Sequence, residues 1–566
     1  MKELTAIYSF RHPMTKPEIE AGTKRWQALL EYHERSKHHV YRYAPGPGVL
    51  DWVNQPNPFR EFSGAPQIKL SLTADTLGTQ YNDIRCGKLP LPAHFNVNNL
   101  ATLFELSLGL SAWKSYNGNR WALRCNPSSG NLHPTEGYLL CPPLEGLPAG
   151  VYHYLSRNHV LEQRTAIGDP QWAEAFAGRG ILIGLTSIHW REAWKYGMRA
   201  WRYCQHDCGH AIAAVSYAAA ALGWQTRLVL SAGDDETAGL LGLNRNEGME
   251  PAASAELEAA DALLWVGDPD TRPDLGRLLQ ALENRDRAEW RGRANLLSKA
   301  HVPWPDIDSI HHATYKPHTL YPREMHELAQ TYPARIPPHA SSAAGMSFSR
   351  IARQRRSAIS FDGITHIPAP TFFSMLECLI ADHSAPPWNS LGSSQTMVHP
   401  VFLVHRITGL KPGLYIFLRN PAILQDMKRA MRADWLWQKT GPDHLPLYLL
   451  LAHDLRDAAK LICCHQGIAA DSCFALGMLA QFSIIENEPW RYRHLFWECG
   501  MLGQMLYLEA EAAGIRATGI GCFFDDEMHA LLGINDHSWQ SLYHFTMGGP
   551  TEDSRLLTLP PYGAGT

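Results

Sequence analysis

Residues 201–224 read WRYCQHDCGHAIAAVSYAAAALGW, and residues 490–515 read WRYRHLFWECGMLGQMLYLEAEAAGI. Both stretches open with Trp-Arg-Tyr, pass through a Cys-Gly pair and continue as a helical pattern into a glycine. From Cys208 and Cys499 onward, matching positions are separated by a constant 291 residues. Self-similarity in a fixed order indicates that the chain contains one structural unit twice.

Short motifs outside the helix recur in the same order. Upstream their separation falls to 263 residues, which indicates insertions in loops. The matched motifs are GDDE at 233–236 with FDDE at 524–527, LLGL at 240–243 with LLGI at 531–534, and GVY at 150–152 with GLY at 413–415. We therefore predict two copies, residues 1–300 and 341–566, joined by a Pro- and His-rich linker at 301–340.

The hydrophobic pattern predicts an α+β fold in each copy. Strands interspersed with helices and hairpins favour a mixed sheet flanked by helices. The predicted helices are 99–110 and 370–381; the predicted strands, paired in order between the copies, are 136–141 with 401–405, 181–187 with 447–452, and 262–267 with 541–548. The helix 208–222 is apolar nearly all round, which predicts a buried interface between two similar units, a pseudo-dimer.

Composition limits the classes of function. The 566 residues have a formal net charge of −4, which gives no electrostatic reason to expect nucleic acid or an anionic membrane as partner. No apolar run approaches the ~18 residues that span a bilayer, and the N-terminus shows no secretory signal. The 11 scattered cysteines are typical of reduced thiols, so we expect a cytoplasmic protein.

One candidate anion site lies at the start of the second copy. Arg355, Arg356 and Ser357 offer two guanidiniums and a hydroxyl that can hold a phosphate. The alternative is a solvated basic turn. The first copy has Pro-Asn-Pro at 56–58 in the corresponding place and therefore lacks this set.

Two loops could contact a planar ligand. The richer one, in the first copy, can donate hydrogen bonds to ring heteroatoms, and its alternative is a turn bonded to its own backbone. It consists of Pro127, Ser128, Ser129, Gly130 and Asn131, and the second copy keeps a poorer version at 391–395. The other loop contains Gly519, Ile520 and Gly521, where glycines permit close approach of backbone to a ligand.

A Lys-Tyr pair occurs only in the first copy. Lys195 and Tyr196 could transfer or orient a proton at a pocket, or they could be surface residues at a helix end. A metal site is disfavoured, because Cys204 and Cys208 lie in an apolar helix where free cysteine packs as a small hydrophobe.

Together these motifs resemble the nitroreductase superfamily of FMN flavoproteins, and the first half is similar to the SagB-type dehydrogenases, the azoline oxidases of thiazole/oxazole peptide biosynthesis. The resemblance rests on NPSSGNLHPTEGYLL and KYGMRAWRYCQHDCGHAIAAVSYAAAALG in copy one and on RRSAISFDG in copy two. It implies two fused nitroreductase-like units, each with a mixed, mostly antiparallel sheet.

The resemblance implies one FMN at the seam of the pseudo-dimer, because each copy retains a different half of the family's motifs. The implied cofactor residues are Arg355, Arg356, Ser357, Gly519, Ile520, Gly521 and Arg555 from copy two, with Pro127, Ser128, Ser129, Gly130 and Asn131 from copy one. The mirrored site would combine Arg60 and Arg272 with Ser393, Ser394 and Gln395, and we expect it to be empty or remodelled. Lys195 and Tyr196 match the pair that assists proton removal in the azoline oxidases.

The expected activity is therefore FMN-dependent dehydrogenation of an azoline or similar C–N bond in a peptide-derived natural product. The substrate is a small molecule or a peptide, and other natural-product biosynthesis enzymes are potential partners. Two alternatives stay open: an NAD(P)H-dependent nitro- or quinone reductase, and a non-catalytic scaffold of a biosynthetic complex.

Overall fold

Two seven-stranded sheets, one in each copy, form the frame of the chain. The computed structural model describes residues 16–245, 255–283, 289–319, 345–382, 384–391 and 396–563, with side chains from residue 22. All neighbouring strands within both large sheets are antiparallel. The predicted α+β fold with mostly antiparallel sheets is confirmed.

The first copy contains eleven described strands. They are β1 (Phe62–Ser63), β2 (Gln67–Lys69), β3 (Leu110–Tyr116), β4 (Asn119–Arg124), β5 (Thr135–Cys141), β6 (Gly150–Leu155), β7 (Val160–Ala166), β8 (Gly180–Ser187), β9 (Gln225–Leu228), β10 (Ala259–Gly267) and β11 (Arg293–Ala294). The large sheet has the order β2-β7-β6-β5-β8-β10-β9. Its central strands are buried throughout, as expected for strands covered on both faces.

The second copy repeats this topology. Its strands are β12 (Ile367–Pro368), β13 (Val398–Val404), β14 (Ile407–Thr408), β15 (Gly413–Phe417), β16 (Gln438–Lys439), β17 (Leu447–Ala452), β18 (Phe474–Gln481), β19 (Arg516–Ile520), β20 (Trp539–Gly548) and β21 (Leu557–Leu559). The order β16-β17-β15-β13-β18-β20-β19 matches the first sheet position by position.

This topology corrects one predicted equivalence. Strand β8 corresponds to β18, beside the central β13, and not to β17, which occupies the place of β7. The sequence pairing of 181–187 with 447–452 was wrong because both are short apolar runs of similar length. The equivalent segment, FALGMLAQ, has a glycine and no β-branched residue, so it is a weaker strand pattern.

Helices cover the sheets and fill the space between the copies. In the first copy they are α1 (Lys16–Arg35), α2 (Tyr81–Arg85), α3 (Val97–Ser107), α4 (Pro170–Glu174), α5 (His189–Tyr196), α6 (Ala200–Ala221), α7 (Asp234–Leu241), α8 (Leu275–Glu283) and α9 (Pro305–Ala313). In the second they are α10 (Phe348–Gln354), α11 (Ala369–Leu379), α12 (Leu424–Ala430), α13 (Arg456–Ile462), α14 (Gly467–Asp471), α15 (Arg491–Ala512) and α16 (Asp525–Leu532). Helix α9 lies within the predicted linker; the proposed boundaries at 300 and 340 remain a prediction.

Helices α6 and α15 cross at the centre of the molecule. Both have 22 residues and begin 291 residues apart. A Cβ on Gly209 would lie 2.3 Å from the carbonyl oxygen of Trp497, and one on Gly500 would lie 2.2 Å from that of His206. Each glycine therefore permits backbone contact at equivalent positions, and the predicted pseudo-dimer interface is confirmed.

The chain ends also join the two copies. Strand β21 of the second copy pairs with β3 of the first, and the Tyr562 hydroxyl accepts from the Leu110 N–H and donates to the Ser156 carbonyl. From the first copy, His33 of α1 hydrogen-bonds Tyr492 and Gln540. No helix in the described ranges is both long and apolar enough to cross a membrane.

Candidate active site

A cavity of about 620 Å³ opens at the seam between the copies. This volume is within the ~300–1,000 Å³ typical of small-molecule sites. Ten of the twelve predicted cofactor residues line it: Pro127, Ser128, Ser129, Gly130 and Asn131 from the first copy and Arg355, Arg356, Ser357, Gly519 and Gly521 from the second. The structure thus brings together motifs that lie more than 200 residues apart in the sequence.

Two guanidiniums in the cavity wall have no carboxylate partner among the described residues. Arg355, which follows α10, is 4% exposed, donates to the Arg124 carbonyl (2.9 Å) and lies 4.9 Å from the Tyr507 ring centroid. Its Nε has no hydrogen-bond partner. Arg356 donates to the hydroxyl and carbonyl of Ser111, and burial and repulsion by Arg355 lower its pKa to about 10. Two cations in a cavity wall, one of them buried and neither with a counterion among the described residues, favour an anionic ligand here.

The neighbouring Arg353 differs, since its guanidinium forms ion pairs with Asp75 and Glu105. Arg355 and Arg356 are therefore distinguished by their free charge as well as by their position. The alternative of a solvated basic turn does not describe them, because both line the cavity and burial contributes to the pKa of each.

Ser357 and the Gly519 loop meet through a tyrosine. The Ser357 and Tyr507 hydroxyls are 2.8 Å apart, and the Gly519 N–H donates to the Tyr507 oxygen (2.9 Å). A Cβ on Gly519 would lie 2.0 Å from the Tyr543 hydroxyl, and one on Gly521 would lie 2.4 Å from the Tyr203 ring. Both glycines are therefore required by tyrosines that pack against this loop, in addition to facing the cavity.

The loop 127–131 forms the opposite wall. Ser128 accepts a hydrogen bond from the His133 N–H (2.8 Å), and Gly130 has a positive φ of 63°. A Cβ on Gly130 would lie 2.6 Å from the Tyr196 hydroxyl and 3.1 Å from Lys195 Nζ. The Lys-Tyr pair, at the end of α5, thus touches this loop from the side of α5 and is not itself part of the cavity lining.

Two buried carboxyls near this loop were not predicted from the sequence. Asp207 of α6 lines the cavity and accepts a hydrogen bond from the Ser129 N–H (3.3 Å), and Ser128 Oγ lies 3.5 Å from Glu192 Oε1. Burial raises the pKa of Asp207 to about 7 and that of Glu192 well above its ordinary value. The 291-residue offset aligns Asp207 with Glu498, and two aligned buried acids are a signal that could have identified it.

Two predicted residues lie outside the cavity lining. Ile520 is buried in the hydrophobic core of the second copy. The Arg555 side chain is 70% exposed and forms an ion pair with Asp553 (2.8 Å). Other residues of the same segments, Asp553 and Leu556, do line the cavity, as do the cations of Lys114 and Arg516, which the sequence analysis missed.

The mirrored position is remodelled. Arg60 is fully buried, where it lies near the carboxylates of Glu256 and Glu258 (3.9 and 3.4 Å) and donates to backbone carbonyls. Arg272 is exposed, and Ser393, Ser394 and Gln395 lie outside the described residues. Glu498, the counterpart of Asp207, forms an ion pair with Arg419. Across the described ranges, no cluster of three or more His, Cys, Asp or Glu is arranged to hold a metal ion.

The chain is similar in sequence and in fold to proteins of known structure or function. Residues 352–549 match the family model "Nitroreductase family". A solved protein from Anabaena variabilis assigned as a nitroreductase aligns over 93% of this chain and 99% of its own length, with 21% identity and a TM-score of 0.64, so the fold is shared over most of the chain. The trifolitoxin-processing protein TfxB of Rhizobium leguminosarum bv. trifolii is 31% identical over 153 residues, and the chain spans 40% of that relative's length. The second copy therefore contains a nitroreductase-family domain, of a family that generally binds flavin, and the first copy repeats its topology.

Proposed function

We propose that the chain is an FMN-dependent oxidoreductase that dehydrogenates an azoline or a similar C–N bond of a peptide-derived natural product. The observation that supports this most strongly is the composite cavity, to which each copy contributes the half of the motif set that the other lacks. A scaffold that had lost its chemistry would have no reason to keep both halves at one seam.

The residues present fit FMN. The phosphate, a dianion, would be held by Arg355 and Arg356, which have no carboxylate partner among the described residues and one of which has an unpartnered Nε. Backbone and hydroxyl groups of Ser128, Ser129 and Asn131 would contact the ring system from the opposite wall. The bound flavin would supply hydride acceptance from the substrate.

Lys195 and Tyr196 would remove or orient the proton that leaves the substrate together with the hydride. Their polar atoms lie against Gly130, within the loop that would face the ring, so they would lie close to a substrate bound there. Lys195 Nζ is 5.2 Å from the centroid of the Tyr196 ring, and burial raises the pKa of the Tyr196 hydroxyl well above its ordinary value. The phenol therefore stays protonated at neutral pH and can donate a hydrogen bond, while the amine is the candidate base.

The choice of a peptide-derived substrate rests on similarity. The partial likeness to a protein named for trifolitoxin processing favours a modified peptide over a nitroaromatic compound. The reducing alternative makes a different prediction, since NAD(P)H would then bleach the bound flavin in the absence of any peptide.

The first test is flavin stoichiometry in the purified full chain. We expect one FMN per chain, and Arg356→Ala to weaken FMN binding about 10- to 150-fold, because a hydrogen bond to a charged group contributes about 1.5–3 kcal/mol. Arg350→Ala is the matched control, since Arg350 is exposed and its guanidinium bonds only Gln354 among described partners. Two flavins per chain, or equal loss in both variants, would contradict the composite site.

The second test is substrate turnover. Azoline-containing peptide and oxidised enzyme should yield azole product, detected by mass spectrometry as the loss of two hydrogens. Rapid flavin reduction by NAD(P)H with no reaction of the azoline would instead establish the reductase alternative.

A further inference from the structure

A pair of cysteines lies behind the glycine loop, outside the cavity. Of the 11 cysteines, three are half-buried and the others are buried; Cys464 and Cys522 are two of those three, and Cys86 is the third. The segments that carry them are in contact although 58 residues separate the two cysteines: Gln466 Nε2 donates to the Cys522 carbonyl (3.0 Å) and the Phe524 N–H donates to the Ile462 carbonyl (2.8 Å). The Cys464 thiol lies beside the Cys522 sulfur in this contact. Cys522 directly follows Gly521 of the cavity wall.

Basic groups surround the Cys522 sulfur. The His38 side chain hydrogen-bonds it, and Arg199, whose guanidinium donates to the Gly521 carbonyl (3.1 Å), contributes positive charge. The Ala44 N–H donates to His38 Nδ1 (2.8 Å), so Nε2 is the nitrogen that carries the hydrogen in the neutral ring. The Cys464 thiol, the His38 ring and the Arg199 charge together lower the pKa of Cys522 to about 5.

The Cys464 side of the pair is held in an unusual backbone conformation. Cys464 and His465 have consecutive positive φ values of 52° and 60°, a left-handed conformation that non-glycine residues rarely adopt. Tyr43, which is 52% exposed, hydrogen-bonds the Cys464 thiol from the solvent side. Both cysteines are themselves partly exposed, and neither lines the cavity.

We propose that Cys464 and Cys522 form a thiol–disulfide exchange site, in which Cys522 is the attacking thiolate and Cys464 is the resolving thiol. The oxidant is a low-molecular-weight disulfide. The Cys522 thiolate attacks one sulfur of that disulfide, forms a mixed disulfide and releases one thiolate. Cys464 then gives its proton to that thiolate and attacks the Cys522 sulfur, which expels the second thiolate. The two protein thiols are oxidised and one external disulfide is reduced to a thiol and a thiolate.

Two features separate this site from ordinary buried cysteines. Burial raises the pKa of Cys463, the sequence neighbour of Cys464, to about 12, so that thiol stays protonated at neutral pH. The pKa of Cys464 is raised chiefly by its hydrogen bond to Cys522, a cause that ends once Cys522 is part of a mixed disulfide. Cys522 instead combines a stabilised thiolate, partial exposure and an adjacent second thiol. The closed bond would connect the turn at 463–465 to the loop that holds Gly519 and Gly521, and would so place the flavin-site loop under redox control.

The test uses the full-length protein as purified. At pH 6 we expect iodoacetamide to label Cys522 about tenfold faster than Cys86, measured by peptide mass spectrometry. A thiol with a pKa near 5 is about 300-fold more ionised at that pH than one near 8.5, and its lower intrinsic nucleophilicity removes about 40-fold of that advantage. Labelling of Cys522 at or below the rate of Cys86 would overturn the proposal.

Glutathione disulfide then distinguishes the two roles. The wild-type chain should form an internal Cys464–Cys522 bond, whereas Cys464→Ser, which keeps a hydroxyl donor beside the thiolate, should retain glutathione on Cys522. Cys522→Ser should leave Cys464 largely unmodified. Glutathione on Cys464 in that variant at the rate seen for Cys522 would reverse the roles, and the lack of any adduct in Cys464→Ser would refute the exchange site.

Discussion

Replacing Asp207 with asparagine should change how stability depends on pH. The carboxyl is buried beside the Pro127–Asn131 wall, forms no ion pair among the described residues, and has a pKa of about 7 in the folded chain. In the unfolded chain an aspartate titrates near ~3.9. Between these values the folded state holds a proton that the unfolded state has released, so stability falls as pH rises.

The magnitude follows from that difference. Linkage gives about 1.4 kcal/mol per pH unit well inside the window, and about 2 kcal/mol in total between pH 5 and pH 7, where titration of the folded state begins. Asparagine keeps an acceptor for the Ser129 N–H and does not titrate. The stability advantage of the variant over the wild type should therefore grow by about 2 kcal/mol from pH 5 to pH 7, which corresponds to roughly 2 °C in the Tm difference.

The assay is thermal unfolding at both pH values with flavin content matched. Glu498→Gln is the pseudo-symmetric control, and it should lower Tm at both pH values, because removing one member of a buried ion pair leaves Arg419 unpaired and costs about 3–5 kcal/mol. A Tm difference between Asp207→Asn and wild type that does not change with pH would refute the reasoning.

Three further perturbations address catalysis, the interface and the C-terminal strand. Lys195→Ala should keep the FMN content of the wild type and slow azoline turnover at least tenfold, since general acid–base groups contribute about 10²–10⁴-fold; wild-type turnover would end the assignment. Gly209→Ala should destabilise the chain by about 1–3 kcal/mol, measured as a lower Tm, because its Cβ would meet the Trp497 backbone. The control Gly22→Ala, in open space on α1, should raise stability by up to about 1 kcal/mol. Equal effects of the two substitutions would contradict the close helix contact. Tyr562→Phe should destabilise the chain by about 1–3 kcal/mol in a denaturant titration, because a backbone N–H and a carbonyl both lose their partner, and an unchanged midpoint would show that water replaces the hydroxyl.

The duplication could be predicted from the sequence because helix packing constrains the same position in each copy. Gly209 and Gly500 must both be small where the helices touch, and that requirement accounts for a glycine at equivalent positions. The predicted pairing of strand 181–187 with 447–452 was wrong because burial alone determines such a pattern, and any apolar run of suitable length fits a central strand. Which run occupies the centre depends on long-range pairing, which local patterns do not encode.

The sequence predicted the residues of the candidate site that belong to short motifs. It did not predict the residues that only the folded chain brings to the cavity. Arg355, Arg356 and the Pro127–Asn131 wall were recognisable as sets of donors. Asp207 was hidden because it lies within an Ala-rich helix, where an isolated acid gives no local signal. Arg555 lies outside the cavity lining because its exposed guanidinium pairs with Asp553, two residues away, and its role in cofactor binding stays a prediction.

The contrast between Asp207, which has no counterion in the described residues, and Glu498, which is neutralised by Arg419, bears on how such a protein can evolve. In a homodimer one gene specifies both copies of a position, so every inherited change appears at two places at once. Here each position is encoded separately, and a change that helps one face of the seam need not be tolerated at the other. One copy can thus retain an acid that weakens the fold at high pH while its counterpart drifts toward a stable ion pair.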